Sequence, residues 1–163
     1  MFALISKGHN ENLGHAQSGM NAVHYLRKTV SGYTLVGEWL NIGAVGTFGQ
    51  PALRYGLTTK LGKNPYLITQ AGGTWQGYTC EGTSLTELTR TKPSERGSFA
   101  SGYSNSGAEE KKRKQQQLDG VITSAIPDVS FKVSFSGTRK FNQTWVRGEE
   151  NYTLKGLDEV PEC

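Results

Sequence analysis

The sequence predicts a mostly β domain, an antiparallel sandwich or barrel with one short helix and a long polar insertion. Three observations lead to this prediction. Residues 129–136 alternate strictly between apolar and polar side chains, which is the pattern of a half-buried strand. The 21 glycines are typical of many short strands joined by turns. The length of 163 residues suits a single domain over 1–163 that buries about two thirds of its unfolded surface.

The alternating segment predicts the first strand of a hairpin. Its apolar members are Val129, Phe131, Val133 and Phe135. A three-residue loop, Gly137 to Arg139, would pair Phe135 with Phe141 and Phe131 with Trp145. A two-residue turn would instead place Phe141 on the polar face. A register shift of one residue would move the apolar side chains of a whole strand from the buried face to the solvent face. We therefore expect the longer loop.

The N-terminal half contains further strand and helix patterns. Phe2 to Ser6 is apolar and predicts an edge strand. Ala16 to Val30 has apolar residues at near-helical spacing behind a possible Ser18 cap, so it is our candidate for the one helix. Tyr33 to Leu40 predicts a strand with Tyr33, Leu35 and Trp39 on one face, and Ala52 to Thr59 a second strand.

The middle of the chain predicts a glycine-centred hairpin. Tyr66 to Gln70 and Thr74 to Cys80 would be its strands, because Ala71-Gly72-Gly73 lies between them and glycine adopts positive φ without steric cost. The remaining strand candidates are Leu85 to Thr91, Val121 to Ile126 and Tyr152 to Leu154.

Residues 92–120 predict a flexible or helical arm outside the core. The first part is rich in Gly and Ser, which is loop chemistry. Ala108 to Leu118 has high helix propensity, but only its two end residues are apolar, so a helix here has no face to bury. Long loops of this kind are usually functional or disordered.

Charge is distributed unevenly along the chain. The net charge is +4, but residues 1–147 carry 17 Lys and Arg against nine acids, whereas the acidic tail 148–163 carries one Lys against five acids. A body of +8 and a tail of −4 predict either a basic surface that meets an anionic partner or complementary ends that meet in an assembly.

No catalytic, cofactor or metal motif stands out, so we predict no such site. His9, His15 and His24 have spacings of six and nine, which no common zinc pattern matches. A Ser, His and acid triad can be assembled on paper from any serine-rich chain, but no Gly-x-Ser-x-Gly elbow supports one. Gly43 to Gly49 matches neither the phosphate-binding loop nor the dinucleotide fingerprint.

Two sets of residues are candidate binding residues. Lys111, Lys112, Arg113 and Lys114 form the most charged run, and they either contact an anionic partner or form a solvated face balanced by neighbouring acids. Trp75, in a Gly-Gly-Thr-Trp-Gln-Gly-Tyr segment, is a candidate stacking residue for a ring-bearing ligand, with a place in the core as the alternative.

The two cysteines and the hydropathy bear on location. Cys80 and Cys163 either pair or remain as free thiols, and free thiols are the expectation because two cysteines make no disulfide framework. No apolar run approaches the roughly 18 residues that span a bilayer, and the N-terminus does not resemble a secretory signal. We therefore expect no membrane partner and a location inside a cell or in a particle.

The leading functional hypothesis is a non-enzymatic assembly protein, such as a subunit of a viral or phage particle. It would contact copies of itself or other subunits through the polar arm and the charge-complementary ends, because such arms commonly order against a neighbour. The alternatives are a nucleic-acid-binding barrel of the OB type, in which aromatic and basic side chains line a groove, and a carbohydrate-binding sandwich.

Overall fold

The chain is almost entirely β, as the sequence predicts. A computed structural model describes residues 1–9, 11 and 14–162, with 58% of the chain in strands and 2% in helix. The strands are β1 Phe2–Gly8, β2 Met20–Thr29, β3 Gly32–Leu40, β4 Arg54–Thr58, β5 Tyr66–Trp75, β6 Tyr78–Leu88, β7 Pro93–Ser104, β8 Gln117–Ile126, β9 Ser130–Gly137, β10 Phe141–Arg147 and β11 Tyr152–Lys155. The helical residues form a short 3-10 turn, Lys112–Lys114.

The strands form two antiparallel sheets. The smaller has the order β1-β2-β3, and the larger has eight strands in the order β11-β10-β9-β8-β7-β6-β5-β4. Within each sheet, every strand therefore pairs with its neighbours in sequence, which is an up-and-down connection. The larger sheet is not closed into a barrel, so the barrel alternative is wrong.

The predicted hairpin of β9 and β10 is confirmed, register included. Phe135 pairs with Phe141 and Phe131 with Trp145. Phe131, Val133 and Phe135 are 1%, 0% and 3% exposed, because every second side chain of β9 points into the core. The ring centroids of Phe135 and Phe141 are 4.6 Å apart and nearly parallel, so the cross-strand aromatic pair stabilises the hairpin as well as burying area.

The main core joins the two ends of the larger sheet. Tyr66 and Leu85, near one end of the strand order, belong to the same buried cluster as Phe131 and Tyr152, near the other. The Tyr152 hydroxyl donates to the carbonyl of Leu61 at 2.9 Å, a contact between residues 91 positions apart. Burial of these apolar side chains, at roughly 25 cal/mol per Å², is what holds the sheet in this shape.

The predicted helix over residues 16–30 is wrong, because Met20–Thr29 is strand β2. Val23 and Tyr25 are buried on one face of this strand and pack against Leu67 of the other sheet. β2 is also the central strand of its sheet, paired on both sides. Packing and pairing on this scale override the helical spacing that a single segment shows.

The predicted arm over residues 92–120 is also wrong for most of its length. Pro93–Ser104 is strand β7, which lies between β6 and β8 in the larger sheet. Phe99 and Tyr103 belong to the core cluster, and the Ser101 hydroxyl accepts a 2.8 Å hydrogen bond from Thr83. Small polar side chains are thus compatible with a buried strand when side chains on neighbouring strands form hydrogen bonds with them. Within the predicted arm, Lys92 and residues 105–116 lie outside the strands.

The predicted turn at Ala71-Gly72-Gly73 is wrong, since β5 continues through these residues to Trp75. The turn lies at Gln76 and Gly77, both with positive φ (50° and 86°), which is the signature of the type I′ hairpin. Gly72 is needed for a different reason. A Cβ there would collide with the carbonyl oxygen of Cys80, so glycine allows the two strands to approach closely.

A bulge corrects the predicted faces of β3. The register between β2 and β3 shifts after Tyr25, leaving Val36 as the extra residue, and a one-residue insertion reverses the side-chain alternation. Trp39 therefore packs inward against Tyr25, with ring centroids 4.8 Å apart, while Leu35 is 55% exposed on the outer face.

Asn21 connects the smaller sheet to the segment that leads into the larger one. Its side chain is fully buried and donates to the carbonyls of Ile42 and Ala44 at 3.0 and 2.7 Å. Its Oδ1 accepts from the Ala52 amide at 2.9 Å and from the Tyr55 hydroxyl at 2.6 Å. Three of these four hydrogen bonds lead to the connection between the two sheets, and the fourth leads to β4.

In the part of the chain that the structure describes, no helix is long and apolar enough to cross a bilayer. The same residues contain no group of three or more His, Cys, Asp or Glu side chains arranged to hold a metal ion.

Candidate functional site: an aromatic groove

A groove of about 1150 Å³ opens on the larger sheet. Its walls come from β5, β6 and β7, from Trp145 of β10, and from residues 158–162 of the acidic tail. This volume is at the upper end of what ligand sites usually offer. The groove is therefore the first place to look for a bound molecule.

Small residues on three adjacent strands create the groove. Ala71 and Gly72 of β5, Gly82 of β6 and Ala100 of β7 line it, so little side-chain bulk rises from these strands. Gly72, which contributed to the predicted turn, thus helps to keep the bottom of the groove free of side-chain bulk. A larger residue at Gly72 would meet the backbone of β6, so its small size is imposed by the sheet itself.

Trp75, the predicted stacking residue, lies in this groove and is 43% exposed. Its ring folds back over Gly73, where a Cβ would lie only 2.7 Å from Cη2. The His15 ring contacts it edge to face at 5.4 Å, and His15 Nε2 is 3.0 Å from the Thr74 carbonyl. The indole is therefore held in one orientation, and Tyr78, its partner in register, is 41% exposed beside it.

The charged groups that line the groove are carboxylates. Glu81, Asp158 and Glu162 contribute to its walls, and among the described lining residues there is no Lys or Arg. Glu81 Oε2 accepts a hydrogen bond from Gln70 at 2.8 Å, and Asp158 Oδ1 accepts from Gln143 at 2.7 Å. These bonds fix the orientation of both carboxylates, which present acceptor oxygens to a ligand.

Cys80 also lines the groove. It is disulfide-bonded, which overturns the expectation of a free thiol at this position. The expectation made for Cys163 lies outside the described residues.

The predicted basic run, Lys111 to Lys114, is exposed throughout. Three of its residues form the 3-10 turn, and no ion pair joins any of the four to a carboxylate among the residues described. The Gly107 amide donates to the Gly77 carbonyl at 3.1 Å. The loop that carries the basic run therefore lies against the β5–β6 turn, at the same end of the molecule as Trp75.

A second polar cluster, missed by sequence reasoning, lies on the smaller sheet. Ser6, His24 and Glu38 come from its three strands. Ser6 Oγ is 2.8 Å from His24 Nε2, and His24 Nδ1 is 3.1 Å from Glu38 Oε1. The prediction of a helix over 16–30 did not reveal this cluster, because the three residues lie side by side only when β1, β2 and β3 pair.

A third cluster is buried in the larger sheet around Glu87, whose side chain is 7% exposed. It contacts Arg96 at 2.7 Å and Arg147 at 3.4 Å, and accepts from Asn64 at 2.7 Å. Burial alone would raise the pKa of Glu87, but the hydrogen bonds from Asn64, Arg96 and Arg147, together with the charge of Arg96, hold that pKa below its ordinary value. Arg147 also donates to the Tyr66 hydroxyl at 2.8 Å, so this cluster connects strands across the core.

No family model, curated protein or solved structure matches this chain. Function is therefore inferred from the geometry of these sites.

Proposed function

We propose that the protein binds carbohydrate in the aromatic groove. The observation that carries this proposal is the orientation of Trp75, whose exposed indole is held over Gly73 and against His15 at the edge of the groove. A preordered aromatic ring loses little conformational entropy when a ligand stacks on it. The C–H face of a pyranose ring is a suitable partner for such a surface.

The charge of the groove favours a neutral ligand. Sugar hydroxyl groups donate hydrogen bonds, and Glu81 and Asp158 offer oriented carboxylate acceptors. The same carboxylates repel a polyanion. Nucleic acid, which relies on Lys and Arg for affinity, is therefore disfavoured in this groove.

A glycan array followed by calorimetry on the best ligand tests this proposal. We expect Trp75→Ala to weaken binding by about 5-fold or more, since stacking of a base on an aromatic side chain contributes about 1–3 kcal/mol and a sugar ring is expected to contribute at the lower end of this range. Tyr33→Ala is the matched control, because Tyr33 is an exposed aromatic residue, 59% accessible, on the other sheet. Absence of any glycan ligand, or equal binding by wild type and Trp75→Ala, would contradict the proposal.

A second candidate function is self-assembly, and a specific surface favours it. The outer face of the smaller sheet exposes half or nearly half of each of five apolar side chains: Phe2, Leu4, Tyr33, Leu35 and Leu40. Together they present on the order of 500 Å² of apolar surface, which is large for a monomer. A second copy of this chain, placed face to face, would bury this surface. The predicted arm no longer supports assembly, because β7 lies in the core.

Sedimentation velocity over a range of protein concentrations tests self-assembly. We expect discrete dimers or larger species, and Leu35→Lys should shift them toward monomer because it places a charge in the apolar interface. Val121→Lys is the control, since Val121 is 60% exposed on the larger sheet. A monomer at every concentration tested would remove the assembly proposal.

A further inference from the structure

The Ser6, His24 and Glu38 cluster has the connectivity of a serine hydrolase triad. In such triads a serine hydroxyl contacts histidine Nε2, and the opposite ring nitrogen contacts a carboxylate. Here the two distances are 2.8 and 3.1 Å, both within hydrogen-bonding range. Triads are recognised by this geometry and not by the order of their residues in the chain.

The contacts of His24 favour one arrangement of protons in the neutral triad. A carboxylate only accepts, so a hydrogen on His24 Nδ1 is favoured by Glu38 Oε1, 3.1 Å away in an ion-pair contact. With the hydrogen on Nδ1, Nε2 has a lone pair and accepts the hydrogen of Ser6 Oγ. This is the tautomer that a general base requires.

Strand register positions the three side chains. Glu38 is directly opposite His24 on β3, while Ser6 lies two residues along β1 from Leu4, the direct partner of His24. Same-face residues at direct and diagonal positions of a sheet are within reach of long side chains. The His24 side chain is 18% exposed and Ser6 is exposed, so the base is sheltered while the nucleophile is accessible.

Ser6 also borders a cleft of about 390 Å³ between the edge strands of the two sheets. Ile5, Ser6 and Lys7 of β1 line one side, and Tyr55, Gly56 and Leu57 of β4 line the other, with Leu67 also contributing. The lining is mostly apolar. Among the described strands β1 pairs with β2 alone, so alternate backbone N–H groups along its outer edge have no partner strand and are available to a bound ligand. Such donors stabilise the negative oxygen that forms when a carbonyl is attacked.

We propose that Ser6, His24 and Glu38 form a catalytic triad that hydrolyses esters of short apolar carboxylic acids bound in the cleft between β1 and β4. Ser6 is the nucleophile, His24 the general base and acid, and Glu38 the positioning residue. This activity is independent of carbohydrate binding, because Trp75 lines the aromatic groove and none of the three triad residues does.

The reaction balances without any added cofactor. Ser6 Oγ bonds to the ester carbonyl carbon while its proton passes to His24 Nε2. The bond to the alcohol oxygen then breaks, and this oxygen takes the proton, leaving an acyl group on Ser6. Water adds to the acyl carbon and gives a proton to Nε2. The carboxylic acid leaves, and Ser6 Oγ recovers the proton.

Labelling with an alkyl fluorophosphonate tests the proposal directly. An activated serine oxygen bonds to phosphorus and displaces fluoride, which leaves with the serine proton as HF. We expect intact-mass and peptide spectra to show one adduct, on Ser6, and hydrolysis of p-nitrophenyl butyrate to stop when Ser6 is labelled. The protein should be used at a low micromolar concentration, because a second copy on the outer face would cover Ser6.

Variants separate a catalytic role from a structural one. Ser6→Ala should abolish the adduct, and His24→Gln should slow labelling by about 100-fold or more. Glu38→Gln should slow labelling while lowering the melting temperature by no more than about 2 °C, and Glu38→Asp should restore part of the rate. Ser134→Ala is the matched control, since Ser134 is a strand serine whose hydroxyl donates to Asn142 and not to a histidine. In the Ser134→Ala variant, Ser6 should be labelled at the wild-type rate.

Two outcomes would overturn the proposal: no adduct on folded wild-type protein, or equal labelling of wild type, Ser6→Ala and His24→Gln. The carbohydrate proposal is tested independently of the triad, because Ser6→Ala leaves the aromatic groove intact and Trp75→Ala leaves the triad intact. The two proposals are therefore distinguished by the same pair of variants.

Discussion

Two glutamates of this protein lie in opposite environments. Glu87 is 7% exposed and contacts Arg96, Arg147 and Asn64 within the larger sheet. Glu38 is 49% exposed and contacts His24 on the outer face of the smaller sheet. The Glu87 carboxylate is paired with groups of the larger sheet itself. Glu38 instead contacts a histidine that an external molecule can approach. Full burial with full pairing indicates a structural role, whereas partial exposure leaves room for chemistry.

The same contrast holds for aromatic side chains, and it predicts the largest effect on stability. Phe131 is 1% exposed in the core of the larger sheet, whereas Phe2 is 49% exposed on the smaller one. Phe131→Ala should lower the free energy of unfolding by about 4 kcal/mol, because it removes buried area and leaves a cavity. Phe2→Ala should lower it by less than about 1 kcal/mol. Denaturant unfolding measures both, and similar losses would mean that the smaller sheet is covered in solution.

Replacing the two glutamates tests the comparison directly. Glu87→Gln should cost about 3 kcal/mol, because it leaves Arg96 and Arg147 without their buried counter-charge. Glu38→Gln should cost no more than about 0.5 kcal/mol, as expected for an exposed pair. Urea denaturation of the two variants gives both numbers. A loss at Glu38 as large as that at Glu87 would show that the smaller sheet depends on its histidine pair for folding.

Acid should weaken the larger sheet through Glu87. Its pKa is held below the ordinary value of 4.5 in the folded state, so its ionised form stabilises the fold above that value. This contribution is lost as the pH falls through the lowered pKa. The stability difference between wild type and Glu87→Gln should therefore shrink as the pH falls below about 4.5. A difference that is constant down to pH 3 would contradict this account.

The smallest effect is expected in the loop between β7 and β8. Lys111 to Lys114 are exposed and contribute no side chain to a buried cluster. Changing all four residues to Ala should alter the free energy of unfolding by less than about 0.5 kcal/mol. If the run contacts an anionic partner, the same variant should weaken oligonucleotide binding that falls steeply with salt. Binding that is indifferent to salt and to these substitutions would remove the anionic-partner interpretation.

Local periodicity was sufficient for some elements and misleading for others. The β9–β10 hairpin, with its register, followed from the alternation of apolar residues and from the length of one loop. Met20–Thr29 misled because Met20, Val23, His24 and Arg27 have near-helical spacing. Val23 and Tyr25 have the i, i+2 spacing of a strand face, and both pack with Leu67 of the other sheet. The sequence identified the stacking candidate Trp75 from its glycine-rich surroundings. Its ring contact His15 and the groove residue Asp158 are distant from it in sequence.

The sequence by itself determined that the protein is built from strands, since period-two alternation and glycine-rich turns are local properties that a single segment displays. Tertiary structure decided that Gly- and Ser-rich residues 93–104 form a central strand, and that Ser6, His24 and Glu38 lie side by side. The physical reason is that strand pairing is non-local: a strand acquires its hydrogen-bond partners, its buried face and its lateral neighbours only when distant segments come together.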